Sequence, residues 1–166
     1  GAPAAGGVLS EFGKRWSVAM ATTSSERGLT LRSPGRFLAT ASRLVELAKQ
    51  AHVSPDSSLG ERVAQAVINA EAYACYTLGD VTTIVGGGST GAKSSYNKVF
   101  WSELDIELHE VGLDLLGELA EREELGGGEN PWMKGFQFAL SGPIYAGTNE
   151  IQRNIIAERL LGLPRK

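Results

Sequence analysis

The residues of this chain best suited to chemistry stand near its C-terminal end, in the segment Gly142 to Ile156. A Gly-Pro turn leads into a tight loop, and Thr148 stands where an N-cap would begin a helix. Threonine at an N-cap satisfies backbone N–H groups that have no partner in the first helical turn. Glu150 follows in that turn, where the helix dipole favours a negative charge. A helix start of this kind can hold an anion or a polar cofactor group.

The same segment resembles the acyl-CoA dehydrogenases, which are flavoenzymes that introduce a double bond beside a thioester. The resemblance rests on Gly-Thr-Asn-Glu-Ile-Gln-Arg at 147–153 and Arg-Leu-Leu-Gly-Leu at 159–163. Further matches surround Trp16 to Arg27 and Tyr96 to Asp105, the latter most similar to actinobacterial members. The resemblance extends from about Gly13 to Pro164 and implies the family's C-terminal helical domain.

That resemblance implies oxidation of an acyl-CoA between its alpha and beta carbons. A base removes the alpha proton, and FAD accepts the beta hydride. Thr148 and Glu150 match positions that contact FAD in relatives. The residues alone also allow a plain interpretation, a capped helix with a favourable charge in its first turn. A helix start can serve both purposes at once.

The position of the base departs from the commonest family pattern. Short- and medium-chain members carry a carboxylate just before the Gly-Thr of the last loop, where this chain has Ala146. Branched-chain and long-chain members carry a Glu directly before an Arg on the first helix of the domain, and this chain has Glu26-Arg27. The resemblance therefore implies Glu26 as the general base. An ordinary solvated ion pair, or an inherited residue in a non-catalytic subunit, is the alternative.

The resemblance also implies a substrate-binding set around this base. Tyr145 matches an aromatic residue that lines the acyl pocket, although packing under the loop would equally explain it. The remaining members of the set are Arg27, Ala146 and Gly147.

Other reactive residue types do not form a competing site in the sequence. His52 and His109 stand alone, without a second ligand at the spacing of a zinc site. The run Gly86 to Gly91 lacks the spacing of a phosphate-binding loop. We expect Cys75 to be a small buried residue and Asp105 to lie on a solvated helix face.

The elements that position these residues are predicted to be helices. Apolar residues recur at intervals of three and four in three stripes, which indicates buried helix faces. The stripes are Phe37, Ala41, Leu44, Val45 and Ala48; Leu59, Val63, Ala66, Val67, Ala70, Ala74, Leu78 and Val81; and Leu104, Leu108, Val111, Leu115 and Leu119. Helices are also predicted from Gly13 to about Leu31, from Met133 to Leu140 and from Thr148 to about Leu161, and no strand is predicted. Short links between long helices predict an all-α fold, an antiparallel four-helix bundle with additional short helices.

Composition narrows the functional classes. The chain has 166 residues and a net charge of −3, which argues mildly against nucleic acid or an anionic membrane as partner. No apolar run approaches the roughly 20 residues of a membrane span. A single cysteine excludes an internal disulfide and favours a cytoplasmic location.

The predicted organisation is a linker over residues 1–12 and a C-terminal helical-bundle domain over residues 13–166. The chain opens without Met, which suggests that it begins within a larger protein. The family's N-terminal helical and middle β-domains normally complete the flavin and acyl-CoA sites, so we expect this span alone to be inactive. The resemblance implies a homo- or hetero-oligomer (dimer or tetramer) and an acceptor of the electron-transfer flavoprotein type. The alternative is a non-catalytic structural subunit or oligomerisation domain of a heteromeric acyl-CoA dehydrogenase.

Overall fold

The computed structural model describes residues 32–125 and 127–165. In this part of the chain the predicted all-α class is confirmed, with one small hairpin that the sequence did not predict. The elements in chain order are α1 (Pro34–Gln50), α2 (Ser58–Val85), α3 (Lys93–Leu116), a 3-10 turn (Gly117–Glu121), β1 (Glu124–Leu125), β2 (Gly128–Glu129), α4 (Pro131–Ala139), α5 (Asn149–Ile155) and a π-helical turn (Ile156–Leu160). The helix predicted from Gly13 to about Leu31 lies outside the described residues.

The helices begin at residues whose chemistry suits a helix start. Pro34 is the first residue of α1, where its missing N–H costs nothing and its ring fixes φ in the helical range. The Ser57 side chain accepts a hydrogen bond from the backbone N–H of Gly60 at 3.1 Å and caps α2. Asn130 caps α4 in the same way, through Trp132 N–H at 3.1 Å and Met133 N–H at 3.2 Å.

The central element is α3, because it packs against α1, α2, α4 and α5. The predicted apolar stripe on α3 is confirmed by the burial of Leu104, Leu108, Val111 and Leu115. Leu119 falls in the 3-10 turn and is 43% exposed, so its predicted place in the core is wrong. The neighbours of α3 on several sides cover polar side chains of this helix as well as apolar ones. The buried polar side chains are Ser95, Asn97, Lys98, Ser102, Asp105 and His109.

The predicted stripe on α2 is confirmed only in its first half. Leu78 and Val81 are 62% and 41% exposed, so their predicted burial is wrong. The buried face of α2 instead continues through Tyr73, Thr77 and Asp80. Asn97 of α3 hydrogen-bonds with Tyr73 and Thr77, so this face of α2 has a polar partner in the domain interior.

Two further predictions about single residues are wrong. Cys75 is exposed on α2 rather than buried. Asp105 is only 2% exposed, and its carboxylate accepts two hydrogen bonds from Arg36, at 3.0 and 2.7 Å. Burial raises the pKa of the Asp105 carboxyl, and Arg36 and then His109 act against that rise. A partner from α1 therefore makes burial of this acid possible.

Two glycines let α4 approach α3 closely. A Cβ added at Gly112 of α3 would stand 2.1 Å from Cε3 of Trp132 on α4. A Cβ added at Gly135 of α4 would stand 2.2 Å from Cδ2 of His109 on α3. Each helix thus receives an aromatic side chain of the other at a glycine, and the two rings meet edge to face at 6.0 Å.

Replacement of Gly112 tests the close approach of α4 to α3. We expect Gly112→Ala to lower the free energy of unfolding by about 1–3 kcal/mol, because the new methyl overlaps the indole of Trp132. Urea denaturation measures the change. The matched control is Gly79→Ala, since no atom lies within 4 Å of a Cβ there and α2 gains about 0.5–1 kcal/mol of helix propensity. Equal effects of the two substitutions on the free energy of unfolding would show that the close approach of α4 to α3 does not depend on Gly112.

Candidate functional site

The loop before α5 has a backbone fixed by its own hydrogen bonds. Asn149 N–H donates to the carbonyl of Pro143 at 2.9 Å, which closes the loop on itself. Ala146 and Gly147 both adopt left-handed backbone, with φ of 56° and 87°. The Gln152 side chain, which is fully buried, donates from Nε2 to the carbonyl of Ala146 at 3.0 Å. A Cβ at position 147 would stand 2.7 Å from that same Nε2 atom, so both sterics and φ require glycine there.

Thr148 and Glu150 begin α5 in the predicted way. The Thr148 hydroxyl accepts a hydrogen bond from Ile151 N–H at 3.4 Å, so Thr148 is the N-cap. Glu150 lies exposed in the first turn. Its own backbone N–H and then the Thr148 hydroxyl lower the pKa of the Glu150 carboxyl, so this group is ionised at neutral pH.

An arginine lies beside two neighbouring aromatic rings beneath the loop. The Arg32 guanidinium carbon is 5.0 Å from the ring centroid of Trp101 and 5.4 Å from that of Tyr145. The two rings stand 5.7 Å apart with an interplanar angle of 32°. Arg32 also donates a hydrogen bond to the Tyr145 hydroxyl. These contacts join Arg32, two positions before α1, to α3 and to the loop.

A buried polar network lies under the start of α5. Lys98 is 1% exposed, and its Nζ donates to Oδ1 of Asn149 at 2.6 Å. Ser102 donates to the same oxygen at 3.2 Å, and Asn149 Nδ2 donates to Glu103 at 3.3 Å. Burial lowers the pKa of the Lys98 ammonium, and the charges of Glu150 and then Glu103 oppose this. The network ties the first residue of α5 to the central helix.

The structure brings five of the predicted site residues together in one loop and helix start. They are Tyr145, Ala146, Gly147, Thr148 and Glu150. The predicted base Glu26 and its neighbour Arg27 lie outside the described residues. Contact with FAD or substrate remains a prediction for all seven.

Sequence reasoning missed four residues that hold together the loop of residues 142–148, the start of α5 and the central helix α3, a region that we call the junction. Trp101 and Gln152 stand inside segments that carry the family resemblance, so that resemblance pointed to them without indicating a role. Lys98 stands in the same matched stretch as Trp101. Arg32 had no such signal, because its contact with Tyr145 spans 113 positions of the chain.

The accessible polar groups of the junction suit a hydroxyl-bearing ligand. Glu150 presents an exposed carboxylate, which accepts hydrogen bonds from hydroxyl or N–H groups and repels phosphate. Within residues 32–125 and 127–165, two buried polar atoms have no hydrogen-bond partner beside the loop, Nε1 of Trp101 and Oε1 of Gln152. Both atoms are closed off from solvent, so neither is available to a ligand in this arrangement.

The described residues include neither a metal-binding cluster of side chains nor a membrane-spanning helix. No cluster of three His, Cys, Asp or Glu side chains in that part of the chain is arranged to hold a metal ion. No helix there combines the length and apolar character that crossing a bilayer requires.

Comparison with known proteins agrees with the all-α fold. Residues 13–161 match the family model described as acyl-CoA dehydrogenase, C-terminal domain, and the chain belongs to the acyl-CoA dehydrogenase family. It is 37% identical to acyl-CoA dehydrogenase IpdE1 of Mycolicibacterium smegmatis over 98% of this chain and 40% of that protein. It is 36% identical to acyl-CoA dehydrogenase IpdE1 of Mycobacterium tuberculosis over 96% of this chain and 41% of that protein. The chain thus spans about two-fifths of the length of these curated relatives.

Solved structures show the same helical architecture. The ChsE4-ChsE5 complex from Mycobacterium tuberculosis matches with a TM-score of 0.70 and 25% identity, over 91% of this chain and 41% of that one. A variant of the Tcur3481-Tcur3483 steroid ACAD matches with a TM-score of 0.73 and 20% identity, over 91% of this chain and 40% of that one. The second likeness concerns the fold alone.

Asparagine variants test the anchoring of α5. Asn149→Ala leaves the buried Lys98 ammonium without its acceptor, and we expect the free energy of unfolding to fall by about 1.5–3 kcal/mol. The matched control Asn154→Ala removes an exposed amide of the same helix and should change stability by less than about 0.5 kcal/mol. Thermal and urea unfolding of both variants give the comparison. If Asn149→Ala proved as harmless as its control, the anchoring role would be wrong.

Proposed function

We propose that this chain is the C-terminal helical domain of an FAD-dependent acyl-CoA dehydrogenase, with residues 13–166 as the domain and residues 1–12 as a linker. The observation that carries the proposal is the loop itself. It has the left-handed turn, the Thr148 cap and the anchored helix start, yet Ala146 places a methyl group before Gly147 and Thr148. We therefore assign the catalytic carboxylate to another part of the chain.

The acids near the loop in the described part of the chain are poor bases. Glu103 is ion-paired with Arg153 and accepts a hydrogen bond from Asn149. The pKa of Glu150 is lowered, and a general base works best when its pKa is near the operating pH. This supports Glu26 as the residue that takes the alpha proton. Burial or a neighbouring charge would have to tune its pKa, as for other catalytic carboxylates.

The proposed cofactor is FAD, which when bound supplies the acceptor for the beta hydride. Thr148 and Glu150 would hold it, because a hydroxyl and an ionised carboxylate can both bind hydroxyl or N–H groups. The negative charge of Glu150 disfavours the pyrophosphate at this position, so we assign Glu150 to an uncharged part of the cofactor.

The proposed substrate is an acyl-CoA with a bulky acyl group. Tyr145, Ala146 and Gly147 would line the acyl end, and Arg27 would stand beside the base. The small side chain at position 146 leaves room near the loop, which suits branched, long or steroid-derived thioesters. The description of a structural neighbour as a steroid ACAD supports including steroid thioesters in a substrate panel.

The proposed partners are further dehydrogenase chains and an electron acceptor of the electron-transfer flavoprotein type. The second half of α2 exposes a set of large apolar side chains that a neighbouring subunit would cover. They are Leu78, Val81, Ile84 and Val85. The matched ChsE4-ChsE5 structure is a complex of two components, and this supports keeping a non-catalytic subunit of a heteromeric enzyme as the second candidate. The cytoplasm is the proposed compartment, on cysteine content alone.

The 166-residue chain alone provides a first test. We expect the purified chain to be colourless, without flavin absorbance, and to show no oxidation of acyl-CoA thioesters, because the proposed site needs further domains. Visible absorbance spectra and an artificial-acceptor assay measure both properties. A stable yellow preparation would show that these residues hold flavin unaided.

Substitution of the proposed base gives the decisive test. Glu26→Gln in the assembled dehydrogenase should reduce kcat by about 10²–10⁴-fold while the flavin content stays unchanged, because only proton abstraction is lost. The matched control is Glu46→Gln, an exposed acid on α1 that pairs with Lys49 at 2.7 Å and should leave kcat unchanged. Unchanged turnover in Glu26→Gln would favour the non-catalytic subunit.

A further inference from the structure

Lys98 holds a positive charge in the interior of the domain. The residue is 1% exposed, and lysine is almost never enclosed to that extent unless it has a partner. The partner is a neutral amide, because Nζ donates a hydrogen bond to Oδ1 of Asn149 at 2.6 Å. The ammonium also lies 6.0 Å from the ring centroid of Trp101, within the range of a cation–π contact.

Asn149 is held by more than this one hydrogen bond. The residue is 3% exposed, and its Nδ2 donates to Glu103 at 3.3 Å. Its backbone N–H donates to the carbonyl of Pro143 at 2.9 Å. Lys98 and Glu103 both belong to α3, so the side chain of Asn149 is attached to the central helix while its backbone is attached to the loop.

The start of α5 has a second attachment, one turn further on. Gln152 is fully buried and donates from Nε2 to the carbonyl of Ala146 at 3.0 Å. Both of these residues belong to the loop and its helix, so their bond cannot fix that unit against the rest of the domain. The bond from Lys98 reaches Asn149 from α3, across 51 positions of the chain, and anchors the unit to the core.

Thr148 and Glu150 are the two sequence neighbours of Asn149. Consecutive Cα atoms are about 3.8 Å apart across a trans peptide, so a displacement of Asn149 is passed to both. The Thr148 hydroxyl caps α5, and the Glu150 carboxylate lies exposed in its first turn. Both polar groups therefore keep their places only while Asn149 keeps its own.

We propose that Lys98 is a positioning residue for the cofactor, because through Asn149 it holds Thr148 and Glu150 in the geometry that binds FAD. The inference rests on the proposed function, since it requires those two residues to contact FAD. Lys98 itself is too enclosed to reach a cofactor, so its effect passes through Asn149. Without the ammonium, Oδ1 of Asn149 must find another donor, and the helix start shifts as it does so.

The experiment uses a double-mutant cycle in the assembled dehydrogenase, from which FAD is removed and then added back. Lys98→Met removes both the charge and the donor from a side chain of similar length, and Lys98→Gln removes the charge but keeps a donor. Asn149→Ala removes the acceptor, and Lys98→Met with Asn149→Ala completes the cycle. Lys134→Met is the matched control, because Lys134 is an exposed lysine of α4 that pairs with Glu129.

Each variant is measured for its Kd for FAD by flavin fluorescence, at a temperature at which circular dichroism shows the flavin-free enzyme to be folded. We expect Lys98→Met to raise this Kd by about 10–100-fold, the range that corresponds to loss of one hydrogen bond to a charged group. Lys98→Gln should recover part of the loss, and kcat per bound flavin should fall by less than the Kd rises. The double variant should bind FAD no more weakly than Lys98→Met alone, and the control should stay within twofold.

Different failures have different meanings. A parent-like Kd in Lys98→Met, with only a lower melting temperature of the flavin-free enzyme, would make Lys98 a structural residue and leave the proposed function intact. Additive effects of Lys98→Met and Asn149→Ala on the Kd would show that Lys98 does not act through Asn149, which also overturns the inference. Parent-like affinity in Thr148→Ala with Glu150→Gln would overturn the proposed cofactor contacts and this inference together. If Lys98→Met fails to fold, Lys98→Gln and its cycle with Asn149→Ala decide by the same criteria.

Discussion

The hydrogen bond from Lys98 to Asn149 joins the most enclosed helix of the domain to the first residue of α5. Other elements enclose α3 on several sides, so an ammonium group on it is buried. Burial of that group is costly unless it donates a hydrogen bond to a nearby acceptor. Asn149 is that acceptor, and its position determines where the preceding loop must run. The contact between Lys98 and Asn149, together with the loop's own hydrogen bonds, fixes where Tyr145, Thr148 and Glu150 lie.

The loop before α5 and the start of this helix have a well-defined shape but hold no acid with a raised pKa in the described part of the chain. In the described part of the chain the loop contributes a left-handed turn, an aromatic ring and a capped helix start. Of the acids nearby, Glu103 is ion-paired and Glu150 has a lowered pKa. The loop itself carries a methyl group, and no carboxylate, at position 146. Under the proposed function, the small side chain at position 146 would leave more space for the acyl group.

The sequence predicted features that depend on local pattern. The spacing of Leu104, Leu108, Val111 and Leu115 identified the inward face of α3, and the Thr148 cap was recognisable from residue type and position. Periodicity could not choose between the two apolar faces in the second half of α2, because it does not register the polar partner in α3. Nor could it find the pairing of Asp105 with Arg36 or of Arg32 with Tyr145, since those partners are 69 and 113 positions apart. The role of Glu26 still rests on the resemblance.

The packing of Trp132 against Gly112 and of His109 against Gly135 also limits how the sequence of this protein can change in evolution. Trp132 fits against α3 only while position 112 lacks a side chain, and the imidazole of His109 imposes the same condition on position 135. A lineage that acquires a larger residue at 112 must accept a smaller one at 132 in the same evolutionary step or soon after. Substitutions at these two pairs should therefore be correlated among descendants of this gene, while the neighbouring exposed positions of α4 drift independently.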